Sequence, residues 1–395
     1  MPDLQGTFMQ RNIYLLYIIK ASKWFMLYMP VIKLYYAENH LEDHHLLLLH
    51  GVYSFIIAIT EIPSGYFADV LGRKITMISG TLLGTMGFAV YAFTGGLWAF
   101  LVAEILLGFG QSFISGSDTA LLYDSLLDLK KQKKYIRYEG KITAIGNFSE
   151  ALAGITVSVL AFQLMREYYY IQIGIAFTGF AASVFLIEPS HHRMKKYRRY
   201  KQVFQLVKKQ IRSNRLLMQY ILFSSVIGFA SLSMAWFAQM IFYELDIRTS
   251  FFYGIAWTVL NLTVGFGSLM AYRTEALLGR KISLLFIFIA LGSSFIVISF
   301  AIAKWVIIVL LFFYLIRGIA HPVLKLYINE LTASDVRATI FSVRSLFIRI
   351  LFSIAVLFLG PARKFCSLEL SIFIAGCILI IPGCILLYLL LKKKA

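Results

Sequence analysis

Residues 65–74 read Gly65-Tyr-Phe-Ala-Asp69-Val-Leu-Gly72-Arg73-Lys74 and join two long apolar stretches of the chain. A glycine followed by two basic residues is typical of a break between membrane helices, because glycine weakens a helix and charges favour water. A related stretch, Glu275-Ala-Leu-Leu-Gly279-Arg280-Lys281, again joins two apolar segments, and its glycine lies 207 residues after Gly72. The second copy has one extra residue between its acid and its glycine. This recurrence predicts a chain built from two similar halves.

The composition excludes most classes of protein. Of 395 residues, 59% are hydrophobic and only 15% are charged, whereas a soluble domain carries roughly 25% charged residues. A soluble chain this apolar would expose large hydrophobic patches and aggregate. The formal net charge of +18 would suit nucleic acid only if it lay on a polar domain, but apolar stretches recur from end to end. The sequence therefore predicts an integral membrane protein with no nucleic-acid partner.

Cysteines and catalytic motifs give no sign of an enzyme. The three cysteines all lie within the last 30 residues and lack metal-ligand spacing. The sequence contains no HExxH, no Gly-x-Ser-x-Gly and no nucleotide-binding Gly-x-x-x-x-Gly-Lys-Ser/Thr motif. We therefore expect no catalytic residues, no metal and no bound cofactor.

Twelve windows are long and apolar enough to cross a bilayer, since a spanning helix needs about 20 mostly apolar residues. Helices are the expected form because backbone groups in hydrocarbon must be satisfied within the segment. The predicted fold class is all-α integral membrane, with twelve transmembrane helices in two pseudo-symmetric six-helix bundles. The windows are 12–36, 46–67, 75–95, 98–125, 142–165, 168–188, 215–243, 251–272, 282–301, 304–327, 341–361 and 367–391.

Basic residues set the predicted orientation, because lysine and arginine concentrate in cytoplasmic loops. With the N-terminus inside, 26 of the 38 basic residues fall in cytoplasmic segments and five in outer loops, so both termini are predicted to be cytoplasmic. Residues 190–214 form a basic linker between an N-terminal bundle at 1–189 and a C-terminal bundle at 215–395. This linker is predicted to lie on anionic lipids at the cytoplasmic face rather than on nucleic acid.

The pattern Gly65-x-x-x-Asp69-x-x-Gly72-Arg73-Lys74 resembles the signature loop of the major facilitator superfamily, and the twelve-span plan extends the resemblance over the whole chain. The resemblance implies a monomeric transporter whose two halves rock around a central substrate site. Further segments resemble a bacterial efflux-permease branch, which implies the bacterial inner membrane. These segments are Glu61-Ile-Pro-Ser-Gly65, Ser115-Gly-Ser-Asp118-Thr-Ala-Leu-Leu-Tyr-Asp124-Ser-Leu and Arg337-Ala-Thr-Ile-Phe-Ser.

The chain departs from the drug/proton antiporters of the superfamily at two places. Their fifth span commonly carries a Gly-Pro-rich motif, whereas this fifth span has no proline after Glu150. Their fourth span often carries an arginine, where this chain has Glu104.

The signature loop has a predicted gating role. Glu61, Gly65 and Asp69 lie at i, i+4 and i+8 and so share one helix face. The resemblance implies that Asp69 latches onto the N-terminus of the eleventh helix in the other half, and that Arg73 pairs with a nearby acid. In the alternative interpretation, the basic residues of the loop only set topology. The candidate gating residues are Gly65, Asp69, Gly72, Arg73, Lys74, Asp124 and Arg337.

Titratable residues inside the spans are candidates for proton coupling, because a charge at that depth costs a few kcal/mol unless it is paired or wet. Glu150 either carries a proton or forms a static ion pair with Lys20. His321, beside Pro322, either titrates near neutral pH or is simply hydrogen-bonded. The candidates are Glu150, Glu104, Asp118, Glu61 and His321.

Other polar and aromatic residues of the spans are candidates for lining a substrate cavity. Arg317 either binds a substrate anion or an acid inside the cavity, or forms a structural bridge within its bundle. The tryptophans either line an apolar pocket or anchor the chain at the membrane interface. The candidates are Lys20, Trp24, Gln111, Asn147, Trp236, Asn261, Arg317, Lys325 and Arg349.

The function predicted from these features is secondary active transport by alternating access, with protons as the driving ion and a small molecule as substrate. The efflux resemblance favours export of a small amphipathic or anionic compound. The basic tenth and eleventh spans favour an alternative, which is uptake of an anionic metabolite or a siderophore-like metal chelate. A transporter-like membrane receptor is a third interpretation.

Overall fold

The computed structural model describes residues 2–131, 135–189, 214–332 and 337–392, and within these ranges the regular elements are all helices. Side chains are described for most of these residues, with exceptions that include Gly65, Asp69 and Arg337. The helices are α1 (Pro2–Trp24), α2 (Tyr28–Glu38), α3 (Asp43–Leu71), α4 (Arg73–Phe93), α5 (Leu97–Asp128), α6 (Tyr135–Leu160), α7 (Arg166–Val184), α8 (Arg215–Glu244), α9 (Ser250–Phe300), α10 (Val306–Glu330), α11 (Arg337–Ala362) and α12 (Leu368–Lys392).

The all-helical membrane class predicted from composition is confirmed. Each of the twelve predicted windows overlaps a described helix, although the windows at 251–272 and 282–301 fall on one element, α9. Within the described ranges, eight candidate spans are long and apolar enough to cross a membrane by their length and composition. The full count of twelve spans stays a prediction.

The first predicted window is broken into two helices, which the hydropathy pattern did not reveal. Helix α1 ends at Trp24 and α2 begins at Tyr28, because the ring of Pro30 clashes with the carbonyl four residues earlier and cannot donate a hydrogen bond to it. The freed N–H of Leu27 donates to Oε1 of Gln172 on α7 at 2.8 Å. Gln172 is buried, so it satisfies a backbone group that would otherwise lie unbonded in an apolar interior.

Glycines let neighbouring helices approach each other at backbone distance, as in other membrane bundles. On α4 and α5, a Cβ added to Gly110 would lie 2.7 Å from the carbonyl oxygen of Gly80. On α9 and α10, a Cβ at Gly267 would overlap the carbonyl of Leu315, and a Cβ at Gly318 would overlap the carbonyl of Val264. The close approach of the helices in these two pairs therefore requires residues without a side chain at these positions.

The chain divides into two compact units. The first comprises the described residues of 1–41, 52–200 and 249–255, and the second those of 42–51, 201–248 and 256–395. Helices α3 and α9 each begin in one unit and continue in the other. Within the second unit, Arg363 holds the start of α3 through Asp43 at 2.9 Å and also lies 3.3 Å from Glu244 of α8.

Candidate functional site

The signature loop forms a tight joint between α3 and α4. Gly72 has φ +103°, a conformation that side-chain-bearing residues rarely adopt. The carboxylate of Glu188 caps the first turn of α4, accepting from the N–H groups of Arg73 and Lys74 at 2.8 Å each. A negative charge stabilises a helix N-terminus because the unpaired N–H groups there carry partial positive charge. The joint is therefore fixed from the segment that follows α7.

Two side-chain contacts complete this joint within the first unit. Arg73 Nε lies 3.7 Å from Asp124 Oδ2 near the end of α5, and both side chains are largely buried. Fully buried Asn12 of α1 exchanges two hydrogen bonds with the backbone of Ile187, at 2.8 and 2.9 Å. The joint thus gathers α1, α4, α5 and the segment after α7 at one end of the unit.

The second copy of the motif builds a comparable joint in the second unit. Gly279 has φ +67° and interrupts α9, so both glycines of the repeat adopt a left-handed conformation. Arg280 pairs with Glu330 at the end of α10, as Arg73 pairs with an acid near the end of α5. Tyr327 donates to Glu275 at 3.1 Å. The repeat seen in the sequence is therefore also a repeat of geometry within each unit.

Three of the candidate gating side chains fall outside the described part of the chain. These are Gly65, Asp69 and Arg337, so the contacts of the proposed latch stay a prediction.

A cleft in the first unit brings together charged residues of α1 and α5. It is a small, partly open cavity of about 40 Å³, and its polar residues are Lys20, Lys23, Asp118 and Thr119. Asp118 accepts from the N–H of Thr119 at 2.6 Å and from its hydroxyl at 3.1 Å. The remaining lining is apolar and consists of Leu16, Ile19, Ile114 and Ile142. Two lysines and one aspartate line the cleft, so its lining carries a formal charge of +1 beside an apolar wall.

The lining of this cleft does not include the candidates Trp24, Gln111, Asn147 and Glu150. The Nζ of Lys20 sits 5.4 Å from the ring centroid of Trp24. Both side chains pack on Gly146 of α6, where an added Cβ would lie 3.3 to 3.4 Å from them. Glu150, one turn further along α6, is partly buried. Asn147 is exposed and Gln111 is partly buried.

The second unit carries a basic cluster on α10 and α11. Arg317, His321 and Lys325 follow one face of α10, and the positive charges of Arg344, Lys325 and Arg317 all act on His321. Arg344 on α11 donates from Nε to Ser224 of α8 at 2.5 Å. Arg317 lies over the ring of Tyr314 at 5.1 Å. Cations so deep in a membrane require water or an anion nearby.

The aromatic candidates of the second unit are used in packing. Trp236 is buried and stacks on the ring of His50, with centroids 3.5 Å apart. Trp257 is buried, and its carbonyl accepts from the side-chain amide of Asn261 at 3.0 Å. Arg349 is partly buried.

A second polar cluster surrounds Glu104 of α5, which is only 3% exposed. Tyr91 of α4 donates to its Oε1 at 2.5 Å, and Tyr36 of α2 does so at 3.4 Å. The two tyrosine hydroxyls are 2.7 Å apart. Glu61, in contrast, lies on α3 and is partly buried.

Comparison with known families decides what these features belong to. A family model described as Major Facilitator Superfamily matches residues 13–356.

The chain belongs to the major facilitator superfamily.

Relatives of this superfamily member are distant in sequence and close in fold. The inner membrane transport protein YajR of Escherichia coli (strain K12) is 23% identical over 141 residues, which cover 35% of this chain and only 30% of YajR. The solved nucleoside transporter NupG is 12% identical, with 98% of this chain and 100% of that chain covered and a TM-score of 0.77. A D-xylose–proton symporter superposes with a TM-score of 0.72 at 12% identity, covering 96% of each chain.

A solved peptide transporter, POT in complex with sulfate, gives a TM-score of 0.70 at 15% identity, over 96% of this chain and 94% of that chain. At such identities the solved structures establish the superfamily fold and nothing finer. Membership of the superfamily makes this chain a multi-pass membrane protein of a transporter family and not of an enzyme family.

Several residues that build the sites of this superfamily member were not among the candidates predicted from its sequence. Glu188 stands alone before Pro189, and no spacing marks it as a cap. Lys23 follows Lys20 at i+3, a spacing that places both on one helix face and could have joined it to the candidates. Tyr36 and Tyr91 carried no signal, since isolated tyrosines are frequent in membrane spans.

Replacing Glu188 with glutamine is expected to destabilise this superfamily member. The amide retains one neutral acceptor oxygen but turns its NH₂ group toward the other backbone N–H, so one hydrogen bond is lost and the other is no longer charge-assisted. We expect unfolding to become easier by about 1.5–3 kcal/mol, measured by thermal denaturation in detergent. Asp246→Asn is the control, because its ion pair with Arg248 is exposed and such pairs contribute about 0–1 kcal/mol. Equal melting temperatures for the two variants would contradict the capping role.

Proposed function

We propose that this transporter exports a small amphipathic or anionic compound across a bacterial inner membrane, in exchange for protons, by alternating access. Both chain termini face the cytoplasm in this proposal. The direction is supported by the resemblance of residues 61–65, 115–126 and 337–342 to efflux permeases.

The observation that carries the proposal is the cleft of the first unit. The ammonium groups of Lys20 and Lys23 suit a carboxylate or phosphate, because charge-assisted hydrogen bonds are the stronger ones. The wall of leucine and isoleucine suits an apolar body. Asp118 and the hydroxyl of Thr119 add polar groups to the same lining. This combination favours an amphipathic anion over a sugar or a lipophilic cation.

The basic cluster of the second unit favours the same charge for the cargo. The charges of Arg317, Lys325 and Arg344 act on His321, and the segments of α8 to α11 that pass through the predicted membrane contain no acidic residue. This cluster also supports the alternative of proton-driven uptake of an anionic metabolite or chelate, because it says nothing of direction.

The proposed test has two stages. A thermal-shift screen of the purified protein across pH should show stabilisation by aromatic carboxylates or phosphate esters, and little by sugars or lipophilic cations. The compound that stabilises most is then offered to everted membrane vesicles whose lumen is acidified by respiration. Accumulation in these vesicles supports export by antiport. Accumulation only in right-side-out vesicles placed in acidic buffer would instead establish uptake, and binding without counterflow would establish a receptor.

The signature loop is proposed to act as a cytoplasmic latch through Asp69. Asp69→Asn should slow transport at saturating cargo by about tenfold or more, while cargo binding measured by thermal shift stays near native, because a latch acts on the conformational step and not on the binding step. An Asp128→Asn variant serves as the control, because Asp128 ends α5 and is also predicted to lie at the cytoplasmic face of the membrane. Native turnover in Asp69→Asn would contradict the latch.

A further inference from the structure

The cluster around Glu104 is distinct from the cargo cleft, although both involve α5. Fourteen residues separate Glu104 from Asp118, which corresponds to about 21 Å along a helix. Glu104 is 3% exposed, so a cargo bound in the cleft cannot touch it. Burying an ionised carboxyl group at this depth costs free energy. The presence of Glu104 there therefore needs a chemical explanation.

The hydroxyls next to Glu104 form a short chain of hydrogen bonds. Tyr91 donates to Glu104 Oε1 at 2.5 Å, and the hydroxyl of Tyr36 lies 2.7 Å from that of Tyr91 and 3.4 Å from the same carboxyl oxygen. Tyr35 closes the cluster by donating to the carbonyl of Tyr91 at 2.5 Å. The tyrosine rings pack on Phe100, with centroids 4.7 Å from it for Tyr91 and 5.7 Å for Tyr36.

These hydrogen-bonded hydroxyls can stabilise the carboxyl group of Glu104 in both of its protonation states. When Glu104 is ionised, two phenolic O–H groups stabilise the charge. When it is protonated, its own O–H can donate to Tyr91, because a phenolic oxygen both donates and accepts, and the hydroxyls turn to donate elsewhere. A purely structural bond would need only one of these states. Burial destabilises the ionised carboxylate, whereas the hydroxyls that donate to it stabilise that form. Because these two effects oppose each other, both protonation states are accessible to Glu104.

The groups facing Glu104 come from several helices packed around it. Helix α2 contributes Tyr28 and Tyr36 and carries buried Lys33, α4 contributes Tyr91, and α7 contributes Tyr169. The charge of Glu104 acts on the hydroxyls of Tyr28, Tyr36, Tyr91 and Tyr169, and that of Glu150 on α6 acts on Tyr28 as well.

We propose that Glu104 is the proton-binding residue of this transporter, and that Tyr91 and Tyr36 are positioning residues that hold its carboxyl group in either protonation state. The step is a proton transfer in which an O–H bond of hydrated H⁺ breaks and an O–H bond on Glu104 forms. The proposal rests on the proton coupling in the proposed function, but it requires neither export nor an anionic cargo.

Infrared difference spectroscopy of the full-length protein in lipid vesicles tests it without any cargo. Between alkaline and acidic buffer, the native protein should gain a C=O stretching band of a protonated carboxyl group in a buried setting. This band should vanish in Glu104→Gln and remain in Asp128→Asn, the matched control on the same helix. Tyr91→Phe should shift the band to higher frequency, because the carboxyl group loses a hydrogen bond.

Each alternative outcome overturns the proposal. A native-minus-Glu104→Gln spectrum without a carboxyl band shows that Glu104 does not titrate, and loss of the band in Glu150→Gln assigns the proton to α6. If Glu104→Gln does not fold, the proposal is rejected when the carboxyl band of Tyr91→Phe has the same frequency as the native band. Failure of the cargo screen leaves these spectra unaffected, so the two proposals can fail independently.

A transport readout separates coupling from structure. Glu104→Gln should keep counterflow of the cargo at a rate near native, yet lose accumulation driven by a pH gradient. Loss of both counterflow and pH-driven accumulation in Glu104→Gln would indicate a structural role. Failure of Glu104→Asp to restore either activity would indicate the same.

Discussion

Replacing Lys20 and Lys23 together with methionine is expected to abolish binding of an anionic cargo. The change turns the formal charge of the cleft from +1 to −1, because Asp118 remains. Each ammonium-to-anion hydrogen bond contributes about 1.5–3 kcal/mol, so the loss of two should lower affinity at least about 100-fold. Methionine keeps the length and apolar stem of the side chain. The affinity is measured by titrating the cargo identified in the thermal-shift screen against the purified variant.

The control for this pair is Lys141→Met. Lys141 is exposed and precedes Ile142, which lines the cleft, but it does not line the cleft itself. Native affinity in Lys141→Met together with a 100-fold loss in the double variant assigns the effect to the cleft. Native affinity in the double variant would place the anion elsewhere, and Lys325→Met would then test the basic cluster of the second unit.

Replacing Gly267 with alanine is expected to cause a large loss of stability for so small a substitution. The new methyl group would overlap the carbonyl of Leu315, which is backbone and cannot rotate away. Helices α9 and α10 must then separate, which also weakens the bond from Ser268 to the carbonyl of Gly318, 3.0 Å long. We expect a cost of about 1–3 kcal/mol or more, measured by denaturant titration in micelles.

Gly265→Ala is a matched control on the same helix. A Cβ at Gly265 meets nothing within 4 Å, so this variant should be neutral or more stable, because alanine favours a helix over glycine by about 1 kcal/mol. Gly318→Ala should resemble Gly267→Ala, since its methyl group would overlap the carbonyl of Val264. A similar melting transition for Gly265→Ala and Gly267→Ala would mean that the two helices adjust freely.

The fold could be predicted largely because hydropathy and the positive-inside pattern act on whole segments. A window of about 20 apolar residues has few options in a bilayer, so each window met a helix. The break between α1 and α2 was missed because it depends on one proline and on the amide of Gln172, which is distant in sequence. The continuous element α9 differs from two windows only because the turn at Gly279 is short.

The candidate site could be predicted less completely, for a physical reason. Motif residues such as Gly72 and Arg73 impose a local conformation that spacing reveals. The roles of Glu188 and Lys23 depend on which helices become neighbours, and hydropathy does not encode that. Likewise, Glu104 was recognisable as an acid in a span, but its tyrosine partners come from α2 and α4, which meet it only in the folded chain.

Helix α5 carries both the buried carboxyl group of Glu104 and the acid that pairs with the signature loop. Its 32 residues contain no proline and span about 48 Å. A Cβ added to Gly108 would meet Ile56 of α3, and one added to Gly110 would meet the carbonyl of Gly80 on α4, so both neighbouring helices approach α5 closely. Glu104 and Asp124 lie about 30 Å apart along the helix axis, and Asp124 pairs with Arg73. One unbroken helix therefore connects the buried carboxyl group to the joint between α3 and α4.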